Sequence, residues 1–222
     1  MNETSKSRRI WGALEKAVLT GRGIDIGCGG DPVTAEARGF DMADGDANVI
    51  TRHVTERFDF VYSSHCLEHM HEPAAALREW WELVKPGGYL FFAVPEEDLY
   101  EQGVFPSRFN PDHKATFTIS KTRSWSPVSH NVLDLARGLP NGELVNLKLQ
   151  DEGYDRKMQN WGPVTGLPRL AQFIYRVYRS GKRRTGLCWP AYEQWMARVP
   201  PVDQTLNFGA LAQIQCIVKK LG

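Results

Sequence analysis

The sequence predicts an α/β domain built on a mostly parallel sheet. Within the first ninety-five residues, short apolar runs alternate with short connections or helices, which is the order that parallel strands require. The run 89–94 contains no charged residue and is typical of a central strand covered on both faces. A glycine-rich turn, 27–30, directly follows the first apolar run, and open α/β sheets bind their ligands at this end of a strand.

The first half of the chain is expected to contain one N-terminal helix and four short strands. They cover residues 5–20, 23–26, 39–42, 48–51 and 58–63. The strongest helix prediction covers 73–84, because a proline begins it and a run of alanines follows. Leu77, Trp80 and Val84 then share one apolar face. A Pro-Gly-Gly sequence ends this helix before the strand at 89–94.

The second half of the chain has a less regular pattern. A helix is expected over 128–137, and the Asn141-Gly142 turn introduces a strand over 143–149. The run 212–218 alternates apolar and polar residues, which predicts a closing strand with one face in solvent.

The composition is that of an ordinary soluble protein, with 42% hydrophobic and 24% charged residues. No apolar run approaches the roughly 20 residues that a membrane span needs. The N-terminus is polar and lacks the apolar stretch of a secretory signal, so a cytoplasmic protein is expected. The four cysteines lack metal-type spacing, and we expect them to be free thiols.

The turn after the first strand has the sequence Asp25-Ile26-Gly27-Cys28-Gly29-Gly30. Glycines let the backbone approach a ligand closely and offer amide donors without interfering side chains. A dinucleotide loop needs Gly-x-Gly-x-x-Gly and a phosphate loop needs Gly-Lys-Ser/Thr, and this turn matches neither. An acidic residue followed by Gly-x-Gly instead resembles motif I of the class I S-adenosylmethionine-dependent methyltransferases.

Three later segments resemble the same family in the same order. Gly39-Phe40-Asp41 resembles the end of its second strand, and 58–65 resembles its fourth strand and the following loop. Residues 83–88 resemble the turn into its fifth strand. The chain is therefore identified as a member over roughly residues 20–150 and 203–220. The resemblance implies a Rossmann-like, doubly wound, mostly parallel sheet of seven strands, with an antiparallel closing strand and a basic helical insertion.

The resemblance implies S-adenosylmethionine as the cofactor and S-adenosylhomocysteine as the product. Asp25 would accept a hydrogen bond from the methionine ammonium, since a cationic group needs an acceptor at short range. Asp41 would bind the ribose hydroxyls. The full set of residues expected to contact the cofactor is Asp25, Gly27, Cys28, Gly29, Asp41, Met42, His53, Val54, Ser64 and His65.

Two departures from the family pattern affect this site. Gly30-Asp31-Pro32 follows motif I, so the next helix is limited to one or two turns with Asp31 as its N-cap. Such a short helix is similar to that of one glycan- and small-molecule-associated branch of the family. The acid or amide that often reads adenine after the third strand is also missing. Arg52, His53, Val54 and Asp46 are the local alternatives.

Three of the six histidines lie within 65–71. His65 and His69 have i, i+4 spacing on a predicted short helix, but the order differs from the His-Glu-x-x-His of zinc proteases. We therefore predict no metal. In the family resembled, this segment forms a wall of the cofactor pocket, which makes His65 a catalytic candidate beside the sulfonium. For His69 a structural role is the alternative.

His113 is the second catalytic candidate. It follows the fifth strand, where substrate-facing residues lie in this fold. An imidazole titrates near neutral pH and can take the proton of a hydroxyl or amine during transfer. Two alternatives remain: His113 caps a loop turn, or alignment of the reactants supplies the rate without a base.

The net charge of +1 hides an asymmetry. Residues 156–184 contain eight Lys and Arg and no acid, whereas Asp and Glu are in excess over 1–155. Apolar positions opposite the charges predict a basic amphipathic helix. It is interpreted either as a lid packed on the acidic body or as a site for an anionic acceptor, such as a nucleotide-sugar or phospholipid headgroup. Nucleic acid is the least favoured partner, because the Asn/Asp-Pro-Pro-Tyr/Phe signature of amino-directed DNA methyltransferases is missing after the fourth strand.

One domain is expected over 1–222. Its segments are an N-terminal helix (1–20), a cofactor-binding half (21–95), an acceptor-side half (96–154), the basic insertion or lid (155–202) and a closing strand (203–222). The predicted function is methyl transfer from S-adenosylmethionine to a hydroxyl or amine of a small molecule or glycan. The alternatives are a methyltransferase of RNA or protein, and a non-catalytic relative that only binds the cofactor. The sequence leaves the acceptor and the oligomeric state open, a homo-oligomer included.

Overall fold

The protein is described by a computed structural model that covers residues 3–156 and 202–222, together with Met158, Gln159 and scattered positions between 174 and 194. Eight strands lie in this part of the chain. They are β1 (Gly23–Ile26), β2 (Arg38–Phe40), β3 (Phe58–Ser64), β4 (Val84–Pro95), β5 (Thr116–Thr118), β6 (Ser129–Asn131), β7 (Gly142–Gln150) and β8 (Gln213–Lys220). The helices are α1 (Glu3–Arg8), α2 (Ala13–Val18), α3 (Pro73–Glu82), α4 (Val132–Arg137) and α5 (Gln204–Phe208).

Six strands form the main sheet, in the order β2-β1-β3-β4-β8-β7. The first four are parallel to one another, and β8 is antiparallel to both β4 and β7. The predicted doubly wound, mostly parallel sheet with an antiparallel closing strand is therefore confirmed. In the described residues its strand count is six instead of seven. Strands β5 and β6 form a separate parallel pair.

The missing strand is the one predicted over 48–51, and that prediction is wrong. Ala47–Arg52 is a 3₁₀ helix. The Asp46 side chain accepts from the Asn48 backbone N–H at its start. The Trp80 indole donates to the Ala47 carbonyl over 2.9 Å, and the Glu79 carboxylate accepts from Thr51. Capping and α3 thus satisfy the backbone groups that a strand ladder would have used.

The predicted N-terminal helix over 5–20 is two short helices, α1 and α2. Gly12 is extended (φ −89°, ψ −159°), and its N–H donates to the Glu15 carboxylate over 2.9 Å, which starts α2 anew. The short helix predicted to begin at Asp31 is absent, since residues 31–37 form bends and turns. The Asp31 carboxylate instead accepts from the Ser5 backbone N–H and hydroxyl.

Two differences concern the second half of the chain. The helix expected over 128–137 begins at Val132, because the Asn131 side chain caps it and 129–131 forms β6. Strand β8 has no solvent face over Gln213–Val218, where every residue is buried. Ser7 of α1 and Glu15 of α2 accept hydrogen bonds from its glutamines, so the N-terminal helices cover the polar face.

The core lies on both faces of the sheet. Trp80 and Trp81 of α3 are fully buried against one face, as the apolar stripe of this helix predicts. Trp11, Tyr62 and Phe91 pack edge to face on the other side. No helix among the described residues is long and apolar enough to cross a bilayer. Most of the basic segment, and with it the predicted amphipathic helix, lies outside the described residues.

Candidate active site

The glycine turn, residues 27–30, leaves β1 at the carboxyl edge of the sheet. Gly27 has φ +76°, and a Cβ there would lie 2.7 Å from the Cys66 sulfur. Its N–H donates to the Phe40 carbonyl over 2.8 Å, which ties the turn to β2. Glycine at position 27 is therefore required both by the backbone conformation and by the close approach of the Cys66 side chain.

Asp41 lies beside this turn and organises it. Its carboxylate accepts from the Gly29 N–H and from the Met42 N–H, each over 2.8 Å. The Met42 side chain is 92% exposed. Asp41 thereby stabilises the backbone at the end of β2, and it lines two cavities.

The two cavities share Gly27, Asp41, His65 and His69 in their walls. The larger one measures about 750 Å³ and extends past Asp41 and Met42 along the 3₁₀ helix. The smaller one measures about 280 Å³ and lies between the glycine turn, Ser64, α1 and the segment 110–113. Of the predicted cofactor residues, the glycine turn, Asp41, Met42, Ser64 and His65 are therefore brought together.

Three predicted residues lie outside both cavities: Asp25, His53 and Val54. Asp25 is buried, and its carboxylate accepts from the Val33 N–H over 2.7 Å. Burial raises the pKa of Asp25 to about 7, against the lowering effect of the Val33 amide. Val54 belongs to the core, and His53 Nε2 accepts a hydrogen bond from the Asp46 N–H.

Sequence reasoning missed several cavity residues. Asp31 and Glu3 bring carboxylates into the smaller cavity, and Ala47, Asn48 and His71 line the larger one. The 3₁₀ helix Ala47–Arg52 thus replaces the predicted third strand, after which the residues that contact adenine were expected. A signal for Asn48 existed in Asp46-Ala47-Asn48, which is typical of an Asx-capped turn. The sequence has no comparable signal for Glu3.

Three imidazoles surround one buried carboxylate in the smaller cavity, and we name this group the histidine cluster: His65, Glu68, His69 and His113. Glu68 Oε1 lies 3.5 Å from His65 Nδ1, 4.0 Å from His69 Nε2 and 3.9 Å from His113 Nε2. Glu68 is 1% exposed, and neither of its oxygens has a hydrogen-bond partner among the described residues. Such a carboxylate can accept hydrogen bonds from a group bound in the cavity.

The histidine cluster is assembled differently from the prediction. His65 and His69 do not share a helix, because His65 has φ +53° and precedes the 3₁₀ helix Leu67–His69. His113 is a buried residue of the cluster, although its backbone N–H does close a turn onto Asn110.

Two of the imidazoles are oriented by carboxylates. His113 Nδ1 lies 2.7 Å from Glu101 Oε1, and His69 Nδ1 lies 2.9 Å from Asp112 Oδ2. Burial lowers the pKa of His113, but the hydrogen bond to Glu101 and the charge of Glu68 outweigh it and raise this pKa above its ordinary value. Each carboxylate accepts a hydrogen bond from the Nδ1–H, so in the neutral ring the Nε2 lone pair faces Glu68.

The same atoms have the character of metal ligands. Glu68, His69 and His113 each offer one ligand atom, and these atoms lie within 4.8 Å of one another. Imidazole and carboxylate suit several divalent ions. The expectation that no metal binds stays a prediction, which treatment of the enzyme with a chelator would test.

A family model described as "Methyltransferase domain" matches residues 6–163. The chain belongs to this family. It is 32% identical to the ubiquinone biosynthesis O-methyltransferase of Stutzerimonas stutzeri (strain A1501), over 32% of this chain and 43% of that protein. It is 30% identical to the enzyme of the same name from Serratia proteamaculans (strain 568), over 39% of this chain and 46% of that protein. The chain thus matches less than half the length of these curated relatives.

Solved structures support the same fold. A SAM-dependent methyltransferase from Archaeoglobus fulgidus has a TM-score of 0.50 at 16% identity, covering 99% of this chain and 95% of that one. Protein BH2331 from Bacillus halodurans C-125 has a TM-score of 0.50 at 14% identity, covering 94% and 97%. At these identities the likeness concerns the fold alone.

Proposed function

We propose that this chain is an S-adenosylmethionine-dependent methyltransferase that acts on a hydroxyl of a small molecule. The observation that carries the proposal is the junction of the glycine turn with the histidine cluster, through the cavity residues Gly27, Asp41, His65 and His69. Family membership and the names of the curated relatives, which are O-methyltransferases, support it. The same proposal treats 1–222 as a single domain with the basic segment as an insertion.

The cofactor site is proposed along the glycine turn. Asp41 would receive the ribose hydroxyls, and the 3₁₀ helix would border the adenine in the larger cavity. The backbone of Gly27, Cys28 and Gly29 would line the methionine end, with Asp31 as a further carboxylate near the ammonium. The cofactor supplies an electrophilic methyl group when bound, and the residues of the chain position it. Direct contact between Asp25 and the ammonium stays a prediction, because Asp25 lines neither cavity.

His113 is proposed as the general base. Its Nδ1–H donates to Glu101, so Nε2 presents a lone pair to the cluster and can accept the proton of the acceptor hydroxyl. Glu101 then stabilises the imidazolium that forms. Because Tyr100 stacks on the His113 ring at 5.2 Å, the ring has little freedom to turn away.

The charge of the smaller cavity bears on the acceptor. Its described lining includes four carboxylates, those of Glu3, Asp31, Asp41 and Glu68, and no lysine or arginine. Such a lining favours a neutral or cationic acceptor over an anionic one, since a carboxylate repels an anion at short range. An amine acceptor is the second candidate that this observation supports.

Cofactor binding by Asp41 is tested by calorimetry. Replacement of Asp41 by Asn leaves one oxygen, which cannot serve Gly29, Met42 and a ribose at once. We expect Asp41→Asn to weaken S-adenosylmethionine binding by at least about tenfold, the equivalent of losing a charge-assisted hydrogen bond. Asp134→Asn, on α4, is the matched control and should bind as the wild type does. Equal affinity of all three proteins would remove Asp41 from the site.

Methyl transfer itself is tested with cofactor that carries a labelled methyl group and a panel of hydroxyl- and amine-bearing small molecules. Label in a hydroxyl compound is the expected result. Label only in amines would favour the second candidate. Tight cofactor binding with no transfer to any compound would favour a non-catalytic relative.

A further inference from the structure

Four buried side chains form a hydrogen-bonded series between α2 and His65, and we name it the amide relay: Glu15, Gln215, Gln150 and Gln213. Gln215 Nε2 donates to Glu15 Oε1 over 2.9 Å, and Gln150 Nε2 donates to Gln215 Oε1 over 2.8 Å. Gln213 Nε2 donates to Gln150 Oε1 over 2.6 Å. The three glutamines are each 1% exposed.

The relay has one allowed direction, because its first member only accepts. Burial raises the pKa of Glu15, but hydrogen bonds from Gln215 and from the Gly12 amide outweigh it and lower this pKa below its ordinary value. Glu15 is therefore an ionised acceptor at neutral pH, and Gln215 must turn its NH₂ group toward it. Each following amide then has its oxygen free to accept from the next one.

A second contact, to a hydroxyl that could itself turn to donate, favours the same orientation of the last amide. The Ser7 hydroxyl donates to the Glu3 carbonyl over 3.1 Å and accepts from Gln213 Nε2 over 2.8 Å. Gln213 Nε2 thus donates to Ser7 and to Gln150, and its Oε1 faces the site. That oxygen lies 2.8 Å from His65 Nε2. Since two acceptors cannot share a hydrogen bond, His65 must carry a proton on Nε2.

We propose that the amide relay fixes His65 as the Nε2–H tautomer and so turns an Nδ1 lone pair toward the smaller cavity, with Gln213 as the positioning residue. The backbone of His65 is held as well, at φ +53° and by a hydrogen bond from its N–H to the Ala93 carbonyl. Nδ1 then lies 3.5 Å from Glu68 Oε1, and both atoms are acceptors. Neither Nδ1 nor Oε1 can donate a hydrogen bond to the other, but a bound hydroxyl can donate to Nδ1.

The catalytic consequence rests on the proposed function. The acceptor hydroxyl donates its single hydrogen to His65 Nδ1 as it binds beside the glycine turn, and it turns that hydrogen to His113 Nε2 when the methyl group is transferred. Reversal of the tautomer would place N–H on Nδ1, which would donate to Glu68 and leave the hydroxyl without this acceptor. We therefore expect loss of the relay to raise the KM for the acceptor by on the order of tenfold, the value of one hydrogen bond, with less effect on cofactor affinity.

The tautomer is measured directly by ¹⁵N NMR of the histidine-labelled full chain, without cofactor or acceptor, with His65→Gln for assignment. The wild type should show a protonated Nε2 and an unprotonated Nδ1. Gln213→Leu should shift the proton toward Nδ1, whereas Gln213→Glu keeps an acceptor for Nε2 and should retain the wild-type tautomer. Gln204→Leu is the matched control, since Gln204 is also buried and its side chain bonds to the Asp155 backbone, outside the relay.

Glu15→Gln is the second variant, because it keeps the side-chain volume and is therefore the milder change should Gln213→Leu fail to fold. It removes the acceptor-only end, so a mixture of both His65 tautomers is expected. A wild-type ring protonated on Nδ1, or an Nε2–H ring unchanged in both Gln213→Leu and Glu15→Gln, would overturn the relay. The expected tautomers without any methyl transfer would instead sustain the relay and count against the proposed function.

Discussion

The glycine turn and the histidine cluster share a cavity wall but are built in opposite ways. The turn is one continuous segment whose backbone lines the cavity. Its conformation depends on Gly27 and on Asp41, which directly follows β2. The cluster draws side chains from two separate segments, 65–69 and 113, and its orienting groups come from further ones, such as Glu101 and Gln213. Substitutions in the turn should therefore affect folding and cofactor binding together, whereas substitutions in the cluster should affect transfer alone.

The largest effect is expected from Gly27→Ala. A Cβ at φ +76° is strained by about 1–2 kcal/mol, and it would also meet the Cys66 sulfur at 2.7 Å. We expect a lower melting temperature and a loss of S-adenosylmethionine binding, measured by thermal unfolding and calorimetry. Gly30→Ala is the matched control, because nothing lies within 4 Å of its Cβ position. Equal behaviour of the two variants would show that the close approach at Gly27 is unimportant.

A smaller but more selective effect is expected from His113→Gln. Removal of a general base lowers kcat by roughly 10² to 10⁴-fold. Cofactor affinity should change little, because the His113 ring contacts Glu68, Glu101 and their neighbours and not the glycine turn. His130→Gln, on β6, controls for loss of a partly buried imidazole. A parallel fall in cofactor affinity would contradict the division between turn and cluster. Loss of activity on treatment with a chelator, restored by a divalent ion, would assign the cluster imidazoles to metal binding instead.

The smallest effect is a shift in pH dependence. A base works unprotonated, so kcat/KM should rise with pH through the pKa of His113, which is raised by the hydrogen bond to Glu101 and by neighbouring carboxylates. Glu101→Gln removes one of those charges, lowers this pKa and should move the rising limb to lower pH. The pH profiles of the two proteins provide the measurement. An unmoved limb would mean that another group controls it.

Much of the cofactor side could be predicted from the sequence. The positions of β1, the glycine turn and Asp41 follow from short-range signals, since glycine conformation and apolar runs are local properties. Helix α3 was equally readable from its stripe and its Pro-Gly-Gly end. The strand predicted over 48–51 failed because an Asx cap and the indole of Trp80, which is distant in sequence, satisfied the backbone in another way.

By itself, therefore, the sequence determined the fold class, the location of the glycine turn and the carboxylate beside it, because these depend on neighbouring residues. Only the tertiary structure decided which carboxylate orients His113, which amide holds His65, and which backbone N–H donates to the Asp25 carboxylate. Such pairings join residues as far apart as 148 positions, and their geometry exists only after the sheet and the N-terminal helices have packed.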